Sequence, residues 1–233
     1  MVTHPVNPDD DMRRQRFDER AFEKGNHSRQ SKPCGRVWRF LTATFFTFLA
    51  AGFGAEPENE WRVLLEPAFM KRAVTWPIAG AQKTVLAPAS LQEGEYVFPK
   101  REVFDALNVD AETIQRLAAS SAEAELKTLQ PRYVRDGKNV ITYAELSSEE
   151  PIVASAVLAP SFLELFKDTL GEKVLLVVPS RYKAYVFPRL AGRHMEYWPM
   201  VFAAYRATAF PVSVEVFEVS AEGIRAFGVY EQP

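Results

Sequence analysis

The feature that most constrains this chain of 233 residues is a run of sixteen uncharged residues, 40–55, which divides the sequence in two. Residues 1–36, before the run, are polar and show no apolar period. A segment of this composition cannot bury enough surface to offset the entropy of ordering it. We therefore predict a disordered polar tail over residues 1–36 and place the fold of the protein after residue 55.

The apolar run has the parts of a secretory signal peptide. Arg36 and Arg39 form a basic flank, an apolar core follows, and small residues up to Ala55 close the run. This order is typical of a cleaved signal peptide. As a helix, sixteen residues would extend about 24 Å, less than the roughly 30 Å of a hydrocarbon layer. The pattern predicts a signal peptide over residues 37–55, with a membrane anchor and a buried core helix as the alternatives.

Loss of residues 1–55 would change the chemistry available to the rest of the chain. The whole chain has 28 Lys and Arg, 30 Asp and Glu and a net charge of −2. The first 55 residues hold nine of these basic and six of these acidic residues, which leaves 19 basic and 24 acidic residues and a net charge of −5. Cys34 and two of the three histidines are lost as well, leaving His194. We therefore predict no metal, no cofactor and no nucleic-acid partner.

Prolines punctuate residues 56–100 at intervals of ten or eleven, at Pro67, Pro77, Pro88 and Pro99. Proline interrupts helices and is tolerated mainly in edge strands and extended loops. We predict a proline-punctuated extended segment over residues 56–100, made of short edge strands or loops, followed by a domain over residues 101–233.

The first half of that domain contains one strong helix and one hairpin. Apolar residues recur at intervals of three and four over residues 110–129, which predicts a helix capped by Asn108 or Asp110. Asp136-Gly137 is typical of the tight turn of a hairpin, here between residues 132–135 and 138–143. Residues 152–158 are small and apolar and fit either a strand or a helix.

The second half of the domain alternates helices and strands. Ser161 is a predicted N-cap for a helix over residues 162–170. Residues 174–178 predict a buried strand with residues 184–187 as its antiparallel neighbour, and Pro199 predicts the first turn of another helix. Residues 212–216 predict a strand with a bulge at Phe217 and Val219, and a final strand follows Gly223.

Helices interspersed with hairpins are typical of the α+β class. We predict a mostly antiparallel sheet covered by two to four helices.

The motif Ser180-Arg-Tyr-Lys183 matches S-x-x-K, the nucleophile motif of penicillin-binding proteins and β-lactamases. The motif should open a helix, whereas here it joins two predicted strands. We therefore predict no catalytic residue.

Two places carry candidate binding residues. Arg181 follows a buried strand, where binding groups are frequent, although an exposed turn residue fits the same pattern. His194, Glu196, Tyr197 and Trp198 combine an imidazole, a carboxylate and two aromatic rings ahead of a helix, which fits a ligand pocket. The alternative is a helix entry in which Trp198 anchors the core and the two polar side chains are solvated.

Carboxylates elsewhere offer no catalytic pair. Glu145, Glu149 and Glu150 are predicted to lie in a solvated loop. Glu123 and Glu125 are two residues apart and do not share a helix face.

Small apolar residues 154–158, the helix that begins near Phe162 and the strand that ends in Pro179-Ser-Arg181 follow one another as in the YtpQ-like family of bacterial proteins. The chain resembles that family over residues 105–219. The family places an Asp after the Arg, whereas Tyr182 stands here, so any role of that carboxylate would be lost. The resemblance implies an α+β domain and no particular activity, because the family is a domain of unknown function.

Together these patterns predict an exported protein, periplasmic or extracellular, whose non-catalytic domain binds another protein or an envelope component. One alternative is a small exported hydrolase that uses Ser180 or His194 with a carboxylate. The other is a membrane-anchored cytoplasmic domain, if residues 40–55 remain uncleaved. On this interpretation the chain would contact a membrane only through that uncleaved segment.

Overall fold

The computed structural model describes residues 61–230. The predicted disordered tail, the signal peptide and the first residues of the extended segment lie outside the described residues. Within residues 61–230, no helix is both long and apolar enough to cross a membrane.

The proline-rich part of the chain forms a small antiparallel sheet in which β3 is central and pairs with the other three strands. Pro67 and Pro77 end strands, but Pro88 lies inside the nine-residue β3. On one side of this strand, one partner pairs only as far as Leu86 and the next partner pairs only from Ser90, so no strand pairs with Pro88 there. A residue without a backbone donor is tolerated at such a gap. The strands are β1 (Trp61–Pro67), β2 (Trp76–Pro77), β3 (Thr84–Gln92) and β4 (Glu95–Val97).

The prediction of short edge strands is therefore wrong for β3, which is long and lies between β1 and β2. Local sequence shows where prolines lie. It does not show that the partner strands leave a gap at one of them.

Five α-helices occur within the described residues. The longest confirms the helix predicted over residues 110–129, and its cap is Asp110, whose carboxylate accepts from the Thr113 amide at 2.7 Å. The small apolar segment that fitted either structure is helical. The helices are α1 (Arg101–Ala106), α2 (Ala111–Thr128), α3 (Val153–Ala156), α4 (Glu164–Leu170) and α5 (Trp198–Arg206).

The rest of the chain forms a six-stranded antiparallel sheet of order β10-β9-β7-β8-β6-β5. The predicted hairpin around Asp136 is confirmed, as is the antiparallel pairing of the strands predicted over residues 174–178 and 184–187. The strands are β5 (Arg132–Arg135), β6 (Ile141–Ser147), β7 (Val174–Ser180), β8 (Lys183–Pro188), β9 (Glu215–Ser220) and β10 (Gly223–Val229).

Both faces of this sheet are covered. Leu176 and its alternate neighbours on β7 face a large core that also contains residues of β1, β3, α2, α3 and α4. Leu175 and Val177 face a second, aromatic core under α5. Because β7 is buried on both sides, its sequence is a continuous apolar run rather than an alternating one.

Two local predictions are wrong. Ser161 does not cap α4; its hydroxyl and amide instead bind the Glu123 carboxylate, each at 2.6 Å. The strand predicted from residue 212 begins at Glu215, and the bulge lies in β10, where Phe227 is the extra residue opposite β9. β9 is buried on both faces, so its apolar residues need not alternate, and the apparent slip in phase was not a bulge.

The α+β class and the antiparallel pairing are confirmed. The predicted numbers of sheets and helices are too low: we predicted one sheet with two to four helices, whereas residues 61–230 contain two sheets and five α-helices.

Candidate functional site

Arg181 follows β7 and points into the protein, towards Glu66 of β1. Its Nε and Nη2 donate to Glu66 Oε1 at 2.9 and 2.5 Å. Arg72 Nε donates to the other carboxylate oxygen at 3.1 Å. The side chain of Glu66 is only 1% exposed. The alternative in which Arg181 is an exposed turn residue is therefore wrong, because a buried carboxylate needs a cationic partner.

Aromatic rings enclose the two guanidinium groups. The carbon of the Arg181 guanidinium lies 5.2–5.5 Å from the ring centres of Tyr96, Phe98 and Phe210. That of Arg72 lies 3.8 Å from the centre of the Phe98 ring. Guanidinium groups at such distances are attracted to ring faces. The rings therefore hold both cations in fixed positions beside Glu66.

A second buried carboxylate, Glu125 of α2, continues this network. Arg62 donates to it at 2.8 Å, and the fully buried Ser155 hydroxyl donates to its other oxygen. The Tyr96 hydroxyl lies 3.4 Å from Ser155 Oγ and so links the two carboxylate groups of the network. Burial, helped by the Glu125 charge, raises the pKa of Tyr96 to about 12, which keeps this phenol neutral.

The other four predicted binding residues lie elsewhere, at the entry to α5. Glu196 is exposed and pairs with Arg193 at 2.8 Å. His194 is half-buried, its ring 5.8 Å from Phe227, and its Nδ1 is buried without a hydrogen-bond partner among the described residues. Burial and the nearby Arg189 lower the pKa of His194.

Tyr197 and Trp198 pack rather than line a pocket. The Tyr197 ring contacts Tyr143 and Phe187 on the aromatic face of the large sheet, at 5.0 and 5.5 Å between centres. Trp198 contacts Phe202 within α5 at 5.9 Å. The five predicted residues therefore separate into Arg181 in one place and the four others in another.

The residues of the hydrolase alternative also stay apart. Ser180 is buried, and its Oγ accepts from the Tyr182 amide at 3.2 Å. Lys183 of the same motif binds Glu145 at 2.9 Å instead. Residues 61–230 thus pair neither Ser180 nor His194 with a base or acid. No group of three metal-ligating side chains occurs in this part of the chain either.

Glu145 does not lie in a solvated loop as predicted. It lies in β6, buried, and accepts from Arg132 and Lys183. Burial would raise the pKa of this carboxyl, but the hydrogen bonds from these two cations lower it below its usual value.

Sequence reasoning missed the two carboxylates of the buried network. Glu66 follows three apolar residues of one strand, where a lone charge signals a buried ion pair. Glu125 lies three residues after Ala122 and one before Leu126, on the apolar face of α2. A charge on such a stripe could have been recognised, but its partners could not.

Comparisons with known families, curated proteins and solved structures each found no match. The resemblance to the YtpQ-like family stays a prediction.

Replacement of Glu66 tests the buried network. Glu66→Gln would leave the buried Arg181 and the half-buried Arg72 without their charge partner, and we expect the free energy of unfolding in urea to fall by about 3–5 kcal/mol. Glu196→Gln is the matched control, because its ion pair with Arg193 is exposed. The control should leave the free energy unchanged within error. Equal effects of the two substitutions would contradict the role given to Glu66.

The pKa of His194 predicts a pH dependence of stability. Because that pKa is lowered on folding, the unfolded chain binds the proton more tightly, and stability should fall as the pH drops below about 6.5. Urea unfolding at pH 7.5 and 5.5 should therefore show a smaller loss for His194→Gln than for the unchanged protein. The buried Glu145 and Glu218, whose pKa values are lowered, titrate below this range. Identical losses in the two proteins would show that the environment of His194 does not penalise its charge.

Proposed function

We propose that this protein is an exported, non-catalytic binding protein of the cell envelope that holds a protein partner on the surface above Arg181. We call this the arginine–aromatic surface and define it as Phe69, Met70, Arg72, Phe98 and Phe210. Phe69 and Met70 lie in the short 3₁₀ turn just before Arg72, and Phe69 lines one cleft with Val212, two residues after Phe210. The observation that supports the proposal is the exposure of apolar side chains beside guanidinium groups that are already held in place.

Large apolar side chains on this surface are open to solvent. Phe69 is 63% exposed, Met70 46% and Phe210 45%. Phe210 also contacts Tyr182, at 6.2 Å between ring centres, and the guanidinium of Arg181 beneath it. Aromatic residues, Met and Arg are the types enriched in protein–protein interfaces, and Arg and aromatic anchors carry most of their binding energy.

The buried network prepares this surface for binding. Arg72 stacks on Phe98 and is held by Glu66, so its side chain loses little freedom when a partner arrives. Anchors that are already ordered reduce the entropy cost of association. Within the described residues, Arg72 and Arg181 share the single carboxylate of Glu66, which leaves one positive charge in excess. A partner that presents apolar side chains next to a carboxylate complements this surface.

A photo-crosslinking experiment tests the binding surface. With p-benzoylphenylalanine in place of Phe69 in the full chain, irradiation of the cells that make the protein should give an adduct with one other protein. The same amino acid in place of Leu117, which is 49% exposed on α2, is the control and should not give that adduct. Adducts at both positions, an adduct only with a second copy of the chain, or no adduct at Phe69 would each contradict the proposal.

A reporter fusion tests the localisation. Alkaline phosphatase, which is active only where disulfides form, should be active when fused after residue 60. Deletion of residues 40–55 from the same fusion should abolish that activity. A fusion that remains inactive would overturn export and favour the alternative of a cytoplasmic domain.

A further inference from the structure

A second exposed apolar surface lies away from Arg181. Leu190, in the turn after β8, is 99% exposed, and Met195 is 48% exposed. Phe227, the bulge residue of β10, is 41% exposed; the guanidinium of Arg189 lies 4.3 Å from its ring centre and the His194 ring lies beside it. These contacts place the three apolar side chains on one surface, which we call the Leu190 surface.

The tip of the β5–β6 hairpin adjoins this surface. Tyr143 of β6 contacts Tyr197 at 5.0 Å between ring centres. The pKa of Asp136, at the tip of the hairpin, is lowered by backbone hydrogen bonds and also by the charge of Arg193. Val140, in the same hairpin, is 58% exposed. Leu190 and Met195 within the segment 189–195 and Phe227 beside it are thus the apolar centre of this surface.

Leu190 projects from this surface and is 99% exposed. A leucine that is almost fully exposed on a short turn projects from the protein and does not line a groove. A projecting apolar residue among cations fits the interface of a lipid bilayer, where apolar groups enter the acyl boundary and cations meet the phosphates.

The charges around these apolar residues favour an anionic bilayer. The five cations Arg135, Lys138, Arg189, Arg193 and Arg225 outnumber the three carboxylates Asp136, Glu196 and Glu218 among the described residues here, and Arg193 is paired with Glu196. The most central carboxylate, Glu218, is buried beneath Arg189 and Arg225 and binds them at 2.8 and 2.5 Å. These eight groups carry a net charge of +2, although the chain as a whole carries −2.

We infer that the Leu190 surface inserts into the headgroup region of an anionic phospholipid bilayer. The inference rests on the proposed function only for its location at the cell envelope. It places a membrane contact within the fold itself, separate from the segment 40–55 that would contact a membrane only if it stayed uncleaved.

The two surfaces are compatible in one molecule. Arg181 directly follows the last residue of β7. The Arg189 amide donates to the carbonyl of Lys173, which directly precedes the first residue of β7. The two surfaces therefore lie at opposite ends of β7, and a membrane contact at one end leaves the other end open to a partner.

A local fluorescence measurement tests the inference in the full chain. In a Cys34→Ser background, Leu190→Cys is labelled with an environment-sensitive dye, and Leu117→Cys is the control. With vesicles of phosphatidylglycerol and phosphatidylcholine, we expect the emission at position 190 to shift to shorter wavelength and to be quenched by nitroxide lipids. The dye at position 117 should remain in water. Vesicles of phosphatidylcholine alone, high salt, or Lys138→Glu should reduce the shift at 190.

Because the readout is local, vesicle binding through residues 40–55 cannot imitate it. A dye at 190 that stays in water on vesicle-bound protein, an equal shift at 117, or an equal shift without phosphatidylglycerol would overturn the inference. The Phe69 crosslink should survive Leu190→Ser, so a failure of the membrane contact is distinguishable from a failure of the proposed function.

Discussion

The buried carboxylate of Glu66 is the constraint on which the rest of the structure depends. A charge removed from water must be paired, and a pair lacking one partner is strongly destabilising. Glu66 comes from the small sheet, and Arg181 comes from the end of the central strand of the large one. Their contact therefore ties the two sheets together, and Arg72 completes it from the segment after β1. Glu125 and Ser155 extend the same polar network between α2 and α3.

This network also explains why the arginine–aromatic surface is ordered. Phe98 stacks on Arg72, and Phe210 lies over Arg181, so the rings are positioned by cations that Glu66 already holds. The surface thus depends on an interaction beneath it that a partner would not touch. At the other end of β7, the Leu190 surface has a similar construction, because buried Glu218 binds Arg189, whose guanidinium lies over Phe227. In both places a buried carboxylate orients an arginine against an exposed aromatic ring, Phe210 in one and Phe227 in the other.

Much of the local structure could be predicted from short patterns. The spacing of apolar residues and the Asp110 cap located α2, Asp-Gly located the β5–β6 hairpin, and a continuous apolar run located β7. Predictions failed where a local pattern had two outcomes that only packing could decide. Ser161 binds Glu123 instead of capping α4, and β9 is buried on both faces, so its phase carried no information about a bulge. Pro88 lies inside β3 because its partner strands leave a gap there.

By itself, the sequence determined the α+β class, the order of most elements and the change in residue types at residue 55, because these depend on composition and on spacings of a few residues. The sequence identified Arg181 as a candidate binding residue but did not identify its partner. Only the tertiary structure decided that, since Arg181 and Glu66 are 115 residues apart and Arg62 and Glu125 are 63 apart. An ion pair between residues so far apart produces no recurring pattern in the sequence. The tertiary structure also separated Arg181 from His194 and its neighbours. They are close in sequence, but β8 lies between them and carries the chain to another part of the fold.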